Sequence, residues 1–120
     1  MDVVAAVLTG LVAVIHGYFL VLEMFLWRTP RGRAIFGTDA EFAERSAVLA
    51  ANQGLYNGFL AAGLVWALIA GGDVGFQASV FFLACVIVAG LYGAITVSRR
   101  IAYVQALPAA LALAAVLLAR

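Results

Sequence analysis

The sequence predicts an all-α protein: a four-helix transmembrane bundle, up-down and antiparallel, with a short amphipathic cytoplasmic loop between the first two helices. Three observations predict it. Of the 120 residues, 67% are hydrophobic and 11% charged, with a mean hydropathy of +1.12, whereas a soluble domain is about half apolar and about a quarter charged. Four stretches meet the length of about 20 mostly apolar residues that a helix needs to cross a bilayer. The arginines gather in two of the three connections between those stretches, as cytoplasmic loops require.

The first stretch runs over about 3–27. It starts Met1-Asp2 and has no Lys or Arg before Arg28, so it lacks the positive n-region and the short core of a signal peptide and is expected to be a retained helix. The second helix is expected over about 39–70, entering the membrane near Ser46. The third follows over 75–97 and the fourth over 101–118, in one domain covering 1–120. Lipid offers no hydrogen bonds, so backbone groups must be satisfied within each segment, which favours helices over an open sheet.

The longest connection spans 28–45. Thr29-Pro30-Arg31-Gly32-Arg33 stops the first helix, and Thr38-x-x-Glu41 fits a capping box, the Thr38 hydroxyl accepting from the Glu41 amide while Glu41 reaches back. Phe42 and Ala43 are then expected at the lipid surface. The connections at 71–74 and 98–100 are short, which makes the last three helices antiparallel neighbours. Pro108 cannot donate to the Val104 carbonyl and predicts a kink there.

Six arginines (Arg28, Arg31, Arg33, Arg45, Arg99 and Arg100) fall on one side and Arg120 alone on the other. The expected location is the cell (inner) membrane, with both termini outside the cytoplasm and no dual topology. Trp27 and Trp66 suit interfacial anchors at opposite ends of their helices. The net charge of +1 makes no electrostatic case for nucleic acid. Cys85 is the only cysteine, so no disulfide forms within the chain, and an embedded thiol reads as a packing residue. One histidine and no ligand cluster, phosphate loop or nucleophile elbow leave no metal and no cofactor to expect.

Helices in lipid associate through small residues and interhelical hydrogen bonds. Gly54-x-x-x-Gly58 with Ala62, Gly90 with Gly93, and Gly10 with Gly17 mark the expected contacts. Polar residues inside the membrane usually face the protein interior, and ionisable ones point to function. Counting from a boundary at Trp27, Ser46, Val97 and Ile101, Glu23 and Gln105 lie about 6 Å deep, Tyr92 about 8 Å, and Asn52 and Gln53 about 10 Å. His16 and Asn57 both fall about 16 Å deep, near the bilayer centre. Two polar layers result, and the Tyr56 hydroxyl can reach either. His16 and Glu23, seven apart, share one face, as do Gln53 and Asn57, four apart.

The simplest arrangement is a polar cavity open to the cytoplasm and floored near His16, with His16, Glu23, Asn52, Gln53, Asn57, Tyr56, Tyr92 and Gln105 as the candidate ligand-binding set. His16 and Glu23 are the candidate acid–base residues, Glu23 as a proton carrier. Against this stand plainer alternatives: a snorkelling carboxyl at Glu23, a core histidine satisfied by Asn57, and Asn and Gln as interhelical glue.

The stretches HGYFLVLEMFLWRTPRGRAIFG from His16, LAANQGLYNGFLAAGL from Leu49 and FFLACVIVAGLYGAITV from Phe81, together with Gln105 and Pro108, resemble the domain of unknown function 1304 family of small membrane proteins. The likeness covers nearly the whole chain, and the pairing of LEMFLWRTPRGR with AANQGLYNGF is specific. It implies a four-helix membrane protein and no particular activity.

Three functions stay open. One is a membrane-embedded binding site or enzyme for a small amphipathic or lipidic molecule such as a quinone or isoprenoid. Another is a small proton-coupled transporter using Glu23, similar to small multidrug resistance transporters in architecture but without their motifs. The third is a structural or assembly protein with no small-molecule site. The expected partners are membrane lipids and a small amphipathic ligand, with a homo-oligomer left open.

Overall fold

The computed structural model describes residues 1–120, and it is helical with no strand. Five α-helices follow one another: α1 (Val3–Met24), α2 (Pro30–Phe36), α3 (Ala40–Ala70), α4 (Gly72–Thr96) and α5 (Leu107–Leu118), the last preceded by a π-helical turn at Ala102–Ala106. α1, α3 and α4 are each long and apolar enough to cross a membrane, while the helical segment Ala102–Leu118 is apolar but shorter. By contacts the chain divides into two units, His16–Phe59 and Met1–Ile15 with Leu60–Arg120.

In the first of these units the expected loop is partly helical. α1 ends at Met24, three residues before the expected limit, where the Phe25 and Leu26 amides both turn back to the Val21 carbonyl. Thr29 then caps α2: its hydroxyl accepts from the Gly32 amide at 3.1 Å and donates to the Leu26 carbonyl at 2.7 Å. Pro30 stands first in α2, where a missing N–H costs nothing. Gly37 ends α2 with φ 68°, the left-handed conformation that suits glycine, and the Thr38 amide reaches back to the Arg33 carbonyl. A helix of seven residues is too short for apolar periodicity to reveal.

The capping box does not form. Asp39 caps α3 instead, its carboxylate accepting from the Phe42 amide at 2.7 Å, one residue after the threonine that the motif nominated. Phe42 is exposed as expected, but Ala43 is fully buried rather than set against lipid. At ~1.5 Å per residue, α3 is about 46 Å long against a hydrocarbon core of ~30 Å. It is thus longer than a single crossing of that core requires.

In the other unit, Gly71 and Gly72 both take positive φ and reverse the chain within two residues, so α4 starts at Gly72 rather than near 75. Small residues let helices meet. A Cβ on Gly90 would lie 2.8 Å from both the backbone nitrogen and the Cβ of Ala106, and one on Gly93 would lie 3.0 Å from Ile101. The third helical span is thus flattened where the π turn crosses it. In the same unit Leu64, Leu83, Val86, Ala109, Ala112 and Val116 belong to one buried core. Gly10 faces Leu68, but Gly17 has nothing within 4 Å of where a Cβ would stand and marks no close contact.

Ahead of Pro108 the chain forms a wider turn that includes Val104. The Leu107 amide bonds to the Ala102 carbonyl, five residues back, and α5 then continues through the proline as its second residue. A π turn absorbs the lost hydrogen bond by re-pairing its neighbours.

Candidate functional site

The site lies within the unit His16–Phe59, where the last turns of α1 meet the middle of α3. Gly54 and Gly58 set the approach. A Cβ on Gly54 would come 2.8 Å from Met24 Cγ and 3.0 Å from Glu23 Cβ, and one on Gly58 would come 2.5 Å from Leu20 Cδ1. Only hydrogen at these positions lets α1 lie so near. Asn57 stands one turn from Gly54 on the same face. Its amide donates to the Glu23 carboxylate at 2.5 Å, and Asn57 is only 7% exposed.

A second bond joins the segment after α1 to α3. The Trp27 indole donates to the Ser46 hydroxyl at 3.0 Å, and that hydroxyl donates to the Phe42 carbonyl at 2.7 Å. The Trp27 ring also rests on Phe36, with centroids 4.9 Å apart. At the exposed rim Arg28 meets Glu44 at 3.2 Å. An exposed pair of this kind adds little stability. Its effect is to hold the Arg28 guanidinium beside the corner.

Between these groups lies a groove of about 470 Å³. Glu23, Trp27, Arg28 and Thr29 border one side, and Ala47, Val48 and Ala51 border the other. The two alanines, one turn apart, leave the room. Glu23 is therefore held by Asn57 through one carboxylate oxygen while also bordering open space. Chemically, the groove offers a carboxyl at depth, a cation at its mouth and apolar walls between.

The other candidates are scattered. His16 is fully buried and stands edge-on to Phe19, with centroids 5.4 Å apart. Asn52, Gln53 and Tyr56 are exposed on α3, and Tyr56 packs edge-on against Phe59. Tyr92, exposed on α4, and Gln105, half-buried in the π turn, belong to the other unit. The depth ladder put Glu23 and Asn57 in different layers, yet they are bonded. That count assumed an α-helical rise as far as Trp27, but α1 stops at Met24. The long Glu side chain spans the remaining height.

Arg28, Thr29, Ala47 and Ala51 line the groove but were not among the sequence candidates. Thr29-Pro30 carries a helix-start signal that locates the corner, and Ala47 with Ala51 repeats the small-xxx-small spacing that flags close approach. The chain contains no group of three or more His, Cys, Asp or Glu side chains placed to hold a metal ion.

A family model described as "Protein of unknown function (DUF1304)" matches residues 10–117. The uncharacterized protein YpaA of Lactococcus lactis subsp. lactis (strain IL1403) is 32% identical over 115 residues, covering 94% of this chain and 96% of that protein. No solved structure matches.

Proposed function

We propose that this chain, which belongs to the family of proteins of unknown function DUF1304, is an integral membrane protein that holds the polar head of a small amphipathic or lipidic molecule beside Glu23. One observation carries the proposal: Glu23 is oriented by Asn57 and at the same time borders a groove whose mouth holds Arg28. A carboxyl serving only as glue would be enclosed by its partner. In this reading Asn57 positions the acid, Arg28 draws an acceptor-bearing headgroup, and the apolar walls take the chain.

The same reading places four spans in the inner membrane, with Ala102–Leu118 as the shortest. The six arginines of the two connections lie in the cytoplasm and both termini lie outside. The groove then opens at the cytoplasmic headgroup level, where Trp27 and Arg28 sit. Supporting this are three helices long and apolar enough to cross and the arginine bias itself.

The test is ligand retention. Protein extracted from its native membrane in mild detergent is analysed by native mass spectrometry and lipid extraction, alongside Glu23→Gln and Ala51→Phe. The expected result is a co-purifying small amphipathic molecule that Ala51→Phe excludes and Glu23→Gln weakens. Folded wild-type protein that carries the same bulk lipids as both variants would overturn the proposal.

A further inference from the structure

α3 exposes amides along a span that has to face lipid or protein. Asn52 and Gln53 are both exposed, and Asn52 lies six residues beyond Ser46, about 9 Å below the level of the Trp27–Ser46 bond. An amide turned towards acyl chains has no hydrogen-bond partner, and that is costly.

The surroundings of Asn52 are periodic. Arg45, Asn52, Phe59 and Trp66 recur every seven residues, and all four are exposed. Val48, Leu55, Ala62 and Ile69 follow each by three residues and are exposed as well. Alternating steps of three and four are the spacing with which two helices pair along a continuous seam, and a single Asn on such a seam sets register and partner number. No other helix of the chain covers this stripe.

We propose that α3 is a dimerisation helix: two copies of this chain pair in parallel through this stripe, with Asn52 of each copy bonded to Asn52 of the other. The amide chemistry selects that occupant. An amide is both donor and acceptor, so two identical amides at one height around a two-fold axis satisfy each other. A two-fold axis along the membrane normal keeps both copies in the same orientation and brings equivalent residues to equal depth. Val48 borders the groove as well as the stripe, but the inference does not depend on Glu23.

Cysteine cross-linking in native membrane vesicles tests it. Cys85→Ser removes the only thiol. In that background Leu55→Cys places a thiol on the stripe without touching Asn52, and Ile95→Cys, on the exposed face of α4, is the control. Under mild oxidation at low protein density, Leu55→Cys is expected to give a disulfide-linked dimer and Ile95→Cys to stay monomeric. Adding Asn52→Leu to Leu55→Cys should lower dimer formation about tenfold, and Asn52→Gln should retain it. Single-molecule photobleaching of the labelled wild-type chain in nanodiscs gives a readout free of the variants, with two steps expected. Equal cross-linking at both sites, single-step bleaching, or a monomer carrying a bound lipid or small amphiphile at this face would overturn the proposal.

Discussion

The Asn57 amide donates to the Glu23 carboxylate across α1 and α3, from residues 34 positions apart in the chain. Replacing Asn57 with leucine leaves that oxygen without its donor in a half-buried setting. Asn57→Leu should cost about 1–3 kcal/mol of stability, and the double variant with Glu23→Leu should recover part of it. Unfolding in detergent, read by circular dichroism across the four corners of the cycle, checks this. A coupling near zero would mean that the two side chains do not share a bond in solution; intramembrane pairs average about 0.6 kcal/mol.

Gly54 and Gly17 make opposite predictions from the same residue type. Gly54→Val puts a side chain where Met24 and Glu23 already stand, so α1 must move away and the Glu23–Asn57 bond should be lost with it. Gly17→Ala meets nothing within 4 Å and should stabilise α1 by about 0.5–1 kcal/mol through its better helix propensity. Thermal unfolding of the two variants side by side should move in opposite directions.

The existence of three long apolar helices and the small-residue contacts at Gly54, Gly58 and Gly90 were legible in the sequence, because each depends on residue type and spacing alone. The facing of the polar residues was not. A membrane helix is apolar all round, so periodicity does not say which side meets a neighbour. The rule that polar groups turn inward suits His16 and Asn57 but does not account for Asn52 and Gln53, which are exposed. Depth counting separated Glu23 from Asn57 because it carried one helical rise past the point where α1 ends. α2 escaped notice because its determinants are local: one threonine cap, one proline and a left-handed glycine.

The π turn is held by packing against α4 as well as by Pro108. With alanine at position 108 an ordinary α-helical bond to Val104 becomes available, but the close approach of Ala106 to Gly90 persists. Pro108→Ala should therefore change stability by less than about 1 kcal/mol. Gly90→Val places two methyl groups against the Ala106 backbone and should destabilise by several kcal/mol, within the range for overpacked cores and displaced backbone. Denaturant titration of both variants separates the causes. A large loss in Pro108→Ala would show that the proline, not the contact, maintains the turn.

The corner at Thr29 supplies the sharpest single-residue test, because Gly32 is buried where α2 folds back on the end of α1 and a Cβ there would overlap the Leu26 carbonyl oxygen. Backbone, unlike a side-chain tip, cannot swing aside, so Gly32→Ala must displace α2 from the corner. Thr29→Ala removes the cap and the hydroxyl's bond to the Leu26 carbonyl without adding bulk, and should cost about 0.5–2 kcal/mol while leaving α2 in place. Both changes lie outside α1, α3 and α4, so the spans should persist. Limited proteolysis from the Arg28 side is the discriminating measurement. Cleavage after Arg31 and Arg33 should rise strongly in Gly32→Ala and modestly in Thr29→Ala, and equal cleavage in both would show that Gly32 is not confined as its position requires. Because Arg28 and Thr29 border the groove, Gly32→Ala should also weaken retention of any molecule held there, while Glu23 and Asn57 remain bonded.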